Sequence, residues 1–137
     1  MSQEDTINAF FEEVGRLEFG NVERYFHEQA VYEDMPIEGR ARAVGPAAIR
    51  EKLGAAFVGV TQLPQTIHEI ATNGDTVLIE RTEVWHHETG EEAPLDVMSV
   101  IKFEGGKMIL WRDYWDVASL MKNQPATWLE KVGISGD

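Results

Sequence analysis

Hydrophobic positions along the chain change their spacing near residue 60. Before that point apolar residues recur every three or four positions, beginning with Ile7, Phe10, Phe11 and Val14, which is typical of an amphipathic helix. After it, apolar and polar residues alternate, which is typical of strands that bury one face. The change predicts helices in the first half that pack on a sheet built mainly from the second half.

The first half is predicted to contain three helices and one strand. Asp5 or Thr6 can cap the first helix, Gly20 ends it, and Pro46 suits the first turn of the last helix. The predicted elements after the first helix are a short helix over 22–27, a strand over 29–36, a loop over 37–45 and a helix over 46–58.

The second half is predicted to form four antiparallel strands joined by tight turns. The turn Asn73-Gly74-Asp75 and the later turn at Gly105-Gly106 are typical of hairpins. The strands are expected over 65–72, 76–88, 95–103 and 107–117, followed by a short helix over 117–122 and an apolar tail with Trp128 and Leu129. The fold class is therefore α+β: a cone-shaped, curved, mixed and mostly antiparallel sheet around about three N-terminal helices.

Composition narrows the class of protein further. The 137 residues fit one domain over 1–137, and no apolar run is long enough for a membrane span. Cysteine is absent, and the acidic N-terminus is unlike a secretory signal, so a cytoplasmic location is expected. A net charge of −12 repels phosphate backbones and anionic lipids, which argues against nucleic-acid and membrane partners and favours a small neutral substrate.

Charged residues interrupt the apolar face of two predicted strands. Arg81 and Glu83 lie two apart in ERTEVW, and Asp113 lies between Trp111 and Trp115 in WRDYWD. Because side chains two apart share a strand face, these charges are predicted to point into the apolar concave side of the sheet. Burial there is costly unless the groups pair, and an arginine between two carboxylates supplies the pairing. The pattern predicts a small-molecule active site.

Tyr32 and Asp34 are expected in the same hollow, because they also lie two apart on a strand. Met98 and Asp96 are further candidates for inward-facing positions. The competing interpretation makes Arg81 and Glu83 an exposed ion pair, which would place the poorer core set Glu80, Thr82 and Val84 inside.

No metal or cofactor is expected. His86 and His87 are adjacent on a strand and therefore point to opposite faces, whereas His27 and His68 lack partners at ligand spacing. Gly105-Gly106 is only a hairpin turn and not a phosphate-binding loop.

The segments YEDMP, ERTEVW and GGKMILWRDYWD resemble the limonene-1,2-epoxide hydrolase family in order and spacing, and the similarity runs over most of residues 5–120. The resemblance implies the cone-shaped fold of nuclear transport factor 2 and ketosteroid isomerase, and a homodimer that pairs through the outer sheet face. It also implies that Tyr32 holds a water, that Asp113 takes a proton from that water, and that Arg81 bridges two carboxylates.

Two positions depart from the family pattern. Asp34 stands where an asparagine is expected to help hold the water, and Glu83 stands where an aspartate is expected to protonate the epoxide oxygen. An amide donates and accepts hydrogen bonds, whereas an ionised carboxylate only accepts. Because three carboxylates share one arginine, one of Asp34, Glu83 and Asp113 is expected to stay protonated near neutral pH.

Three functions remain open from the sequence. The first is hydrolysis of a small apolar epoxide by paired carboxylates. The second is proton abstraction beside a carbonyl, as in ketosteroid isomerase or SnoaL-like polyketide cyclases, with Asp113 or Asp34 as base and Tyr32 or a protonated acid as oxyanion donor. The third is a non-catalytic ligand-binding domain, which a pocket filled by tryptophan side chains would favour.

Overall fold

A computed structural model describes residues 1–133 of the chain. The helices are α1 (Gln3–Gly15), α2 (Pro46–Ala56), α3 (Val117–Asn123) and α4 (Ala126–Lys131), with 3-10 helices at Phe19–Tyr25 and Glu38–Ala41. The strands are β1 (Phe26–Asp34), β2 (Ala43–Val44), β3 (Val60–Gln62), β4 (Gln65–Asn73), β5 (Thr76–His87), β6 (Glu92–Glu104) and β7 (Lys107–Tyr114). The predicted α+β class and the order of helices and strands are confirmed.

All seven strands form one curled, mixed sheet. Its order is β2-β1-β7-β6-β5-β3, and β4 also pairs with β5. Only the β1–β7 pair is parallel within the described chain. Four of the strand pairs contain register shifts, and such irregularities bend strands. The bent sheet closes around the helices and leaves a concave inner face.

Helix α1 fills much of this inner face. It begins after Ser2, whose side chain accepts a hydrogen bond from the Asp5 backbone while the Asp5 side chain accepts one from Ser2, a reciprocal cap that fixes the first turn. The helix therefore starts before the predicted caps Asp5 and Thr6. Its apolar stripe is buried, and the Phe10 ring meets Phe26 and Trp111 edge to face.

Several boundaries differ from the prediction. The second helix is a 3-10 helix, the first strand is Phe26–Asp34 rather than 29–36, and the last strand ends at Tyr114. Strands β2 and β3 were not predicted, because two or three residues are too short to show alternation. The apolar tail folds into α4, whose Trp128 and Leu129 are buried.

The longest helix, α1, has 13 residues, and no helix in the described part of the chain has the length and apolar character needed to span a bilayer.

Candidate active site

Arg81 lies at the centre of a buried hydrogen-bond network. Strand β5 turns its odd-numbered residues inward from Val77 to His87, so Arg81 is only 1 % exposed. Its Nη1 atom donates to Glu83 Oε1 at 2.6 Å, and its Nη2 atom donates to Asp113 Oδ2 at 3.0 Å. Its remaining hydrogen bonds run from Nη1 to Gln65 Oε1 at 2.7 Å and from Nε to Ser99 Oγ at 3.2 Å. The guanidinium thus bridges two carboxylates from different strands.

Asp113 accepts three hydrogen bonds. Besides the Arg81 bond, its Oδ1 atom accepts from Ser99 Oγ at 2.6 Å and from Trp111 Nε1 at 2.7 Å. Burial raises the pKa of the Asp113 carboxyl from 3.8 to about 6; Arg81 opposes the rise, and the Asp34 charge adds to it. A carboxylate with a pKa near 6 is suited to accept a proton close to neutral pH.

Glu83 is held in a similar way on β5. Its Oε1 atom accepts from Arg81, and its Oε2 atom accepts from Trp85 Nε1 at 2.7 Å. Both Glu83 and Asp113 are therefore oriented by one arginine and by an indole N–H two residues away on the same strand face. This packing fixes the carboxyl groups and keeps the charged network away from bulk water.

Tyr32 and Asp34 enter the same region from β1, next to β7 in the sheet. The Tyr32 ring stacks on the Trp111 indole with centroids 3.7 Å apart. Asp34 Oδ1 accepts from Trp115 Nε1 at 2.9 Å, and Asp34 Oδ2 pairs with Lys52 Nζ at 2.8 Å. Burial raises the pKa of the Tyr32 hydroxyl well above 10, and the Asp34, Asp113 and Glu83 charges raise it further, so Tyr32 stays a hydrogen-bond donor.

These side chains reach a cavity of ≈ 290 Å³. Tyr32, Asp34, Arg81, Glu83 and Asp113 all line it. The rest of the wall is apolar and aromatic, with residues from the sheet, α2 and the C-terminal helices that include Phe57, Trp85, Leu95, Val97, Trp115 and Trp128. Its volume lies near the lower end for small-molecule sites, and an apolar wall with a few convergent polar groups suits a small apolar ligand.

The structure brings together all five residues chosen from the sequence, but the inward assignment of two others is wrong. Met98 is 45 % exposed, and Asp96 is also exposed, because the odd-numbered residues of β6 face the inside. Asp96 instead accepts a hydrogen bond from Thr82 on the outer face.

Three polar residues of the network were not predicted: Gln65, Ser99 and Lys52. Ser99 had a readable signal, because it is the one hydroxyl among the alternating apolar residues Leu95, Val97, Ile101 and Phe103 of β6. Lys52 had none, since a lysine on an amphipathic helix is most often solvated.

Comparison with known proteins assigns the fold to a family. The model of the SnoaL-like domain matches residues 7–111, and the chain belongs to this family. The solved structure of an LEH-like epoxide hydrolase from M. tuberculosis is 26 % identical with a TM-score of 0.73, and the match covers 87 % of this chain and 86 % of that one.

Two more distant structures share the fold alone. A hypothetical protein with a ketosteroid isomerase-like fold from Catenulispora acidiphila DSM 44928, in complex with trimethylamine, has a TM-score of 0.77 at 16 % identity, covering 96 % of this chain and 95 % of that one. A protein from Jannaschia sp. CCS1, provisionally described as a SnoaL-like polyketide cyclase, has a TM-score of 0.77 at 15 % identity, covering 90 % and 92 %. The solved structures with this fold thus include an epoxide hydrolase and proteins whose descriptions refer to other reaction classes.

Proposed function

We propose that this protein is an epoxide hydrolase of the limonene-1,2-epoxide hydrolase type, which adds water to a small apolar epoxide in one step. The observation that carries the proposal is the bridge from Arg81 to both Glu83 and Asp113 at the wall of an apolar cavity. Two carboxylates that share one permanent cation can differ in protonation, and epoxide opening needs one base and one acid.

In the proposed step, the reactive form of the protein carries one proton on Glu83 and none on Asp113, so that Glu83 acts as the acid and Asp113 as the base. Asp113 takes a proton from a water molecule as the water oxygen bonds to an epoxide carbon. The carbon–oxygen bond of the ring breaks, and its oxygen takes the proton of Glu83 to give a diol. Acid and base assistance are each worth about 10²–10⁴-fold in rate. Proton exchange with solvent then restores the starting state.

Arg81, Tyr32 and Asp34 position the reactants. Arg81 keeps its positive charge near neutral pH. Burial lowers its pKa, but the Asp113 and Glu83 charges together raise it by more. Tyr32 and Asp34 line the cavity beside Asp113, where the Tyr32 hydroxyl donates a hydrogen bond to the attacking water and Asp34 accepts one from it. The Glu83 side chain is one methylene longer than the aspartate implied by the resemblance, but it still contacts Arg81 at 2.6 Å.

The test is a panel of apolar epoxides incubated with the protein in H₂¹⁸O, with diol formation followed by mass spectrometry. We expect diols that carry one ¹⁸O atom, and we expect Asp113→Asn and Glu83→Gln to lose at least about 100-fold in turnover with unchanged circular dichroism. Asp96→Asn is the matched control, because Asp96 lies on the outer face, and it should retain activity. Full activity in Asp113→Asn would remove this residue from the mechanism.

The same protein preparation separates the other functions. Deuterium exchange beside the carbonyl of a cyclic ketone, without diol formation, would indicate the isomerase-like or cyclase-like reaction. Binding of valpromide, an apolar amide that mimics an opened epoxide, with neither reaction would indicate a ligand-binding domain. The cavity of ≈ 290 Å³ is open rather than filled by tryptophan side chains, so these assays and not the shape of the pocket distinguish the three functions.

We further propose that two copies pair through the outer face of the sheet. Large apolar side chains are exposed there, with Leu78 44 %, Met98 45 % and Tyr114 43 % accessible, and Met98 lies directly opposite Tyr114 on neighbouring strands. Sedimentation equilibrium should give a dimer mass for the native chain and a monomer mass for Met98→Glu. A monomeric native chain at micromolar concentration would refute the pairing.

A further inference from the structure

Lys52 connects helix α2 to the polar residues of the cavity. Its Nζ atom lies 2.8 Å from Asp34 Oδ2 and donates to the backbone oxygen of Ala41 at 2.7 Å. The same ammonium lies 3.8 Å from the centroid of the Tyr32 ring. Since the Trp111 indole stacks on one face of that ring, the ammonium covers the other face. The side chain is only 16 % exposed, which is low for a lysine.

These contacts place a positive charge beside the Asp34 carboxylate, which lines the same cavity as Asp113. The groups that face Asp34 are Tyr32 on its own strand, Lys52 on α2 and Trp115 after β7, with Asp113 and the Arg81–Glu83 pair beyond them across the cavity. An unpaired Asp34 carboxylate would add a full negative charge beside the Arg81 network. Paired with the ammonium at 2.8 Å, Asp34 contributes a carboxylate oxygen to the cavity wall while the adjacent positive charge opposes its own.

We propose that Lys52 is a positioning residue of this site, which holds the Asp34 carboxylate and the Tyr32 ring against the cavity and cancels the Asp34 charge beside Asp113. The ion pair then acts as one neutral unit that accepts a hydrogen bond from the bound water. In its kinetic consequences this inference rests on the proposed hydrolase function. Its electrostatic consequence is independent of that function.

A double-mutant cycle at positions 34 and 52 tests, on the unliganded protein, whether Lys52 offsets the Asp34 charge that acts on Asp113. Asp34→Asn, Lys52→Met and the double variant are labelled with ¹³C-aspartate, and the carboxyl carbon of Asp113 is titrated by NMR. In the native protein burial raises the pKa of Asp113 to about 6, Arg81 opposes the rise and the Asp34 charge adds to it, so the titration measures how much of the Asp34 charge Lys52 offsets.

Lys52→Met leaves Asp34 without its counter-ion and should raise the midpoint of Asp113 by about one pH unit, whereas Asp34→Asn should lower it by a similar amount. The double variant restores the native net charge and should return the midpoint to its native position. A midpoint that stays unchanged in both single variants would overturn the neutral-pair proposal, whatever reaction the protein catalyses.

The kinetic part uses the epoxide that gives the fastest diol formation. Each single variant should lower kcat by roughly tenfold or more, because it leaves one member of a buried pair without its partner, and KM should change little. The double variant, with an amide and a thioether at the same positions, should recover most of kcat. Additive losses in the double variant would overturn the positioning role.

Lys131→Met is the matched control, because Lys131 forms an exposed ion pair with Glu88 at 2.7 Å, and it should shift neither the midpoint nor kcat. If Lys52→Met does not fold, comparing Asp34→Asn with the double variant still isolates the Lys52 charge: equal midpoints in these two proteins would overturn the proposal. If no epoxide is turned over, the proposed hydrolase function is refuted. The titration still tests whether Lys52 offsets the Asp34 charge, because it needs no substrate.

Discussion

Replacing Ser99 by alanine probes how the buried network controls the proposed base. The Ser99 hydroxyl donates to Asp113 Oδ1 at 2.6 Å and accepts from Arg81 Nε at 3.2 Å, and Ser99 is fully buried. Burial raises the pKa of Asp113, whereas the Ser99 hydrogen bond lowers it. Removing the hydroxyl takes away a contact that favours the ionised carboxylate, so the Asp113 pKa should rise.

The size of the rise follows from the strength of that contact. A hydrogen bond to an ionised group is worth about 1.5–3 kcal/mol, and a change of one pH unit in pKa corresponds to about 1.4 kcal/mol. Ser99→Ala should therefore move the Asp113 midpoint from about 6 upward by about one to two pH units. The Arg81 Nε group also loses its acceptor, so unfolding in urea should show a loss of about 1–3 kcal/mol.

Two measurements check this prediction. The ¹³C titration of the Asp113 carboxyl gives the midpoint directly, and the acidic limb of the kcat/KM profile should move upward by the same amount. Activity at pH 6 should fall by about tenfold, whereas activity at pH 9 should change little. Ser119→Ala is the matched control, since Ser119 donates to the exposed Asp116 at 2.8 Å outside the cavity.

A folded Ser99→Ala protein with an unchanged or lower Asp113 midpoint would refute the reasoning, because the hydroxyl would then not stabilise the ionised form. If the Asp113 midpoint stayed at its native value while the acidic limb of the kcat/KM profile shifted, that limb would report the titration of a residue other than Asp113.

Three further changes test the packing and charge balance. Arg81→Leu removes the cation between two buried carboxylates and should destabilise the protein by about 3–5 kcal/mol at pH 8, with a smaller loss at pH 5, where Asp113 is protonated; urea unfolding at both pH values measures this. Phe10→Ala removes a fully buried ring from the aromatic cluster and should cost about 3–5 kcal/mol in the same assay, and a loss below about 1 kcal/mol would contradict the tight packing. Because burial raises the folded-state pKa of Asp113 from 3.8 to about 6, the native protein should lose about 3 kcal/mol of stability from this group as pH rises through that window. Asp113→Asn should lack this decline, and identical pH profiles would contradict the raised pKa.

The alternation of side chains between the two faces of a strand made much of the site predictable from the sequence. Arg81 and Glu83 share a face with Ile79 and Trp85, and a single inward assignment for β5 placed all four correctly. On β6 the inward assignment fell on the wrong face, because Met98 and Asp96 were assigned to inward positions, whereas the odd-numbered residues of the strand are the buried ones. A shift of one residue reverses every side chain of a strand, and Ser99 was missed for that reason.

Contacts between distant elements were beyond the reach of local patterns. Lys52 reaches Asp34 only because α2 packs beside β1, and Gln65 meets Arg81 only because β4 pairs with β5. Strands β2 and β3 depend on neighbours for their hydrogen bonds and have too few residues for a period of their own. These features are products of tertiary packing, which the spacing of apolar residues does not encode.

Each of the three carboxylates at the cavity accepts an indole N–H from a different tryptophan: Glu83 from Trp85, Asp113 from Trp111 and Asp34 from Trp115. Of the four tryptophans in the chain, only Trp128 donates elsewhere, to the Ala56 backbone oxygen. The emission of an indole responds to the charge of its hydrogen-bond partner. Variants that retain one of these fluorophores at a time would therefore give an optical record of each acid without any added dye or isotope.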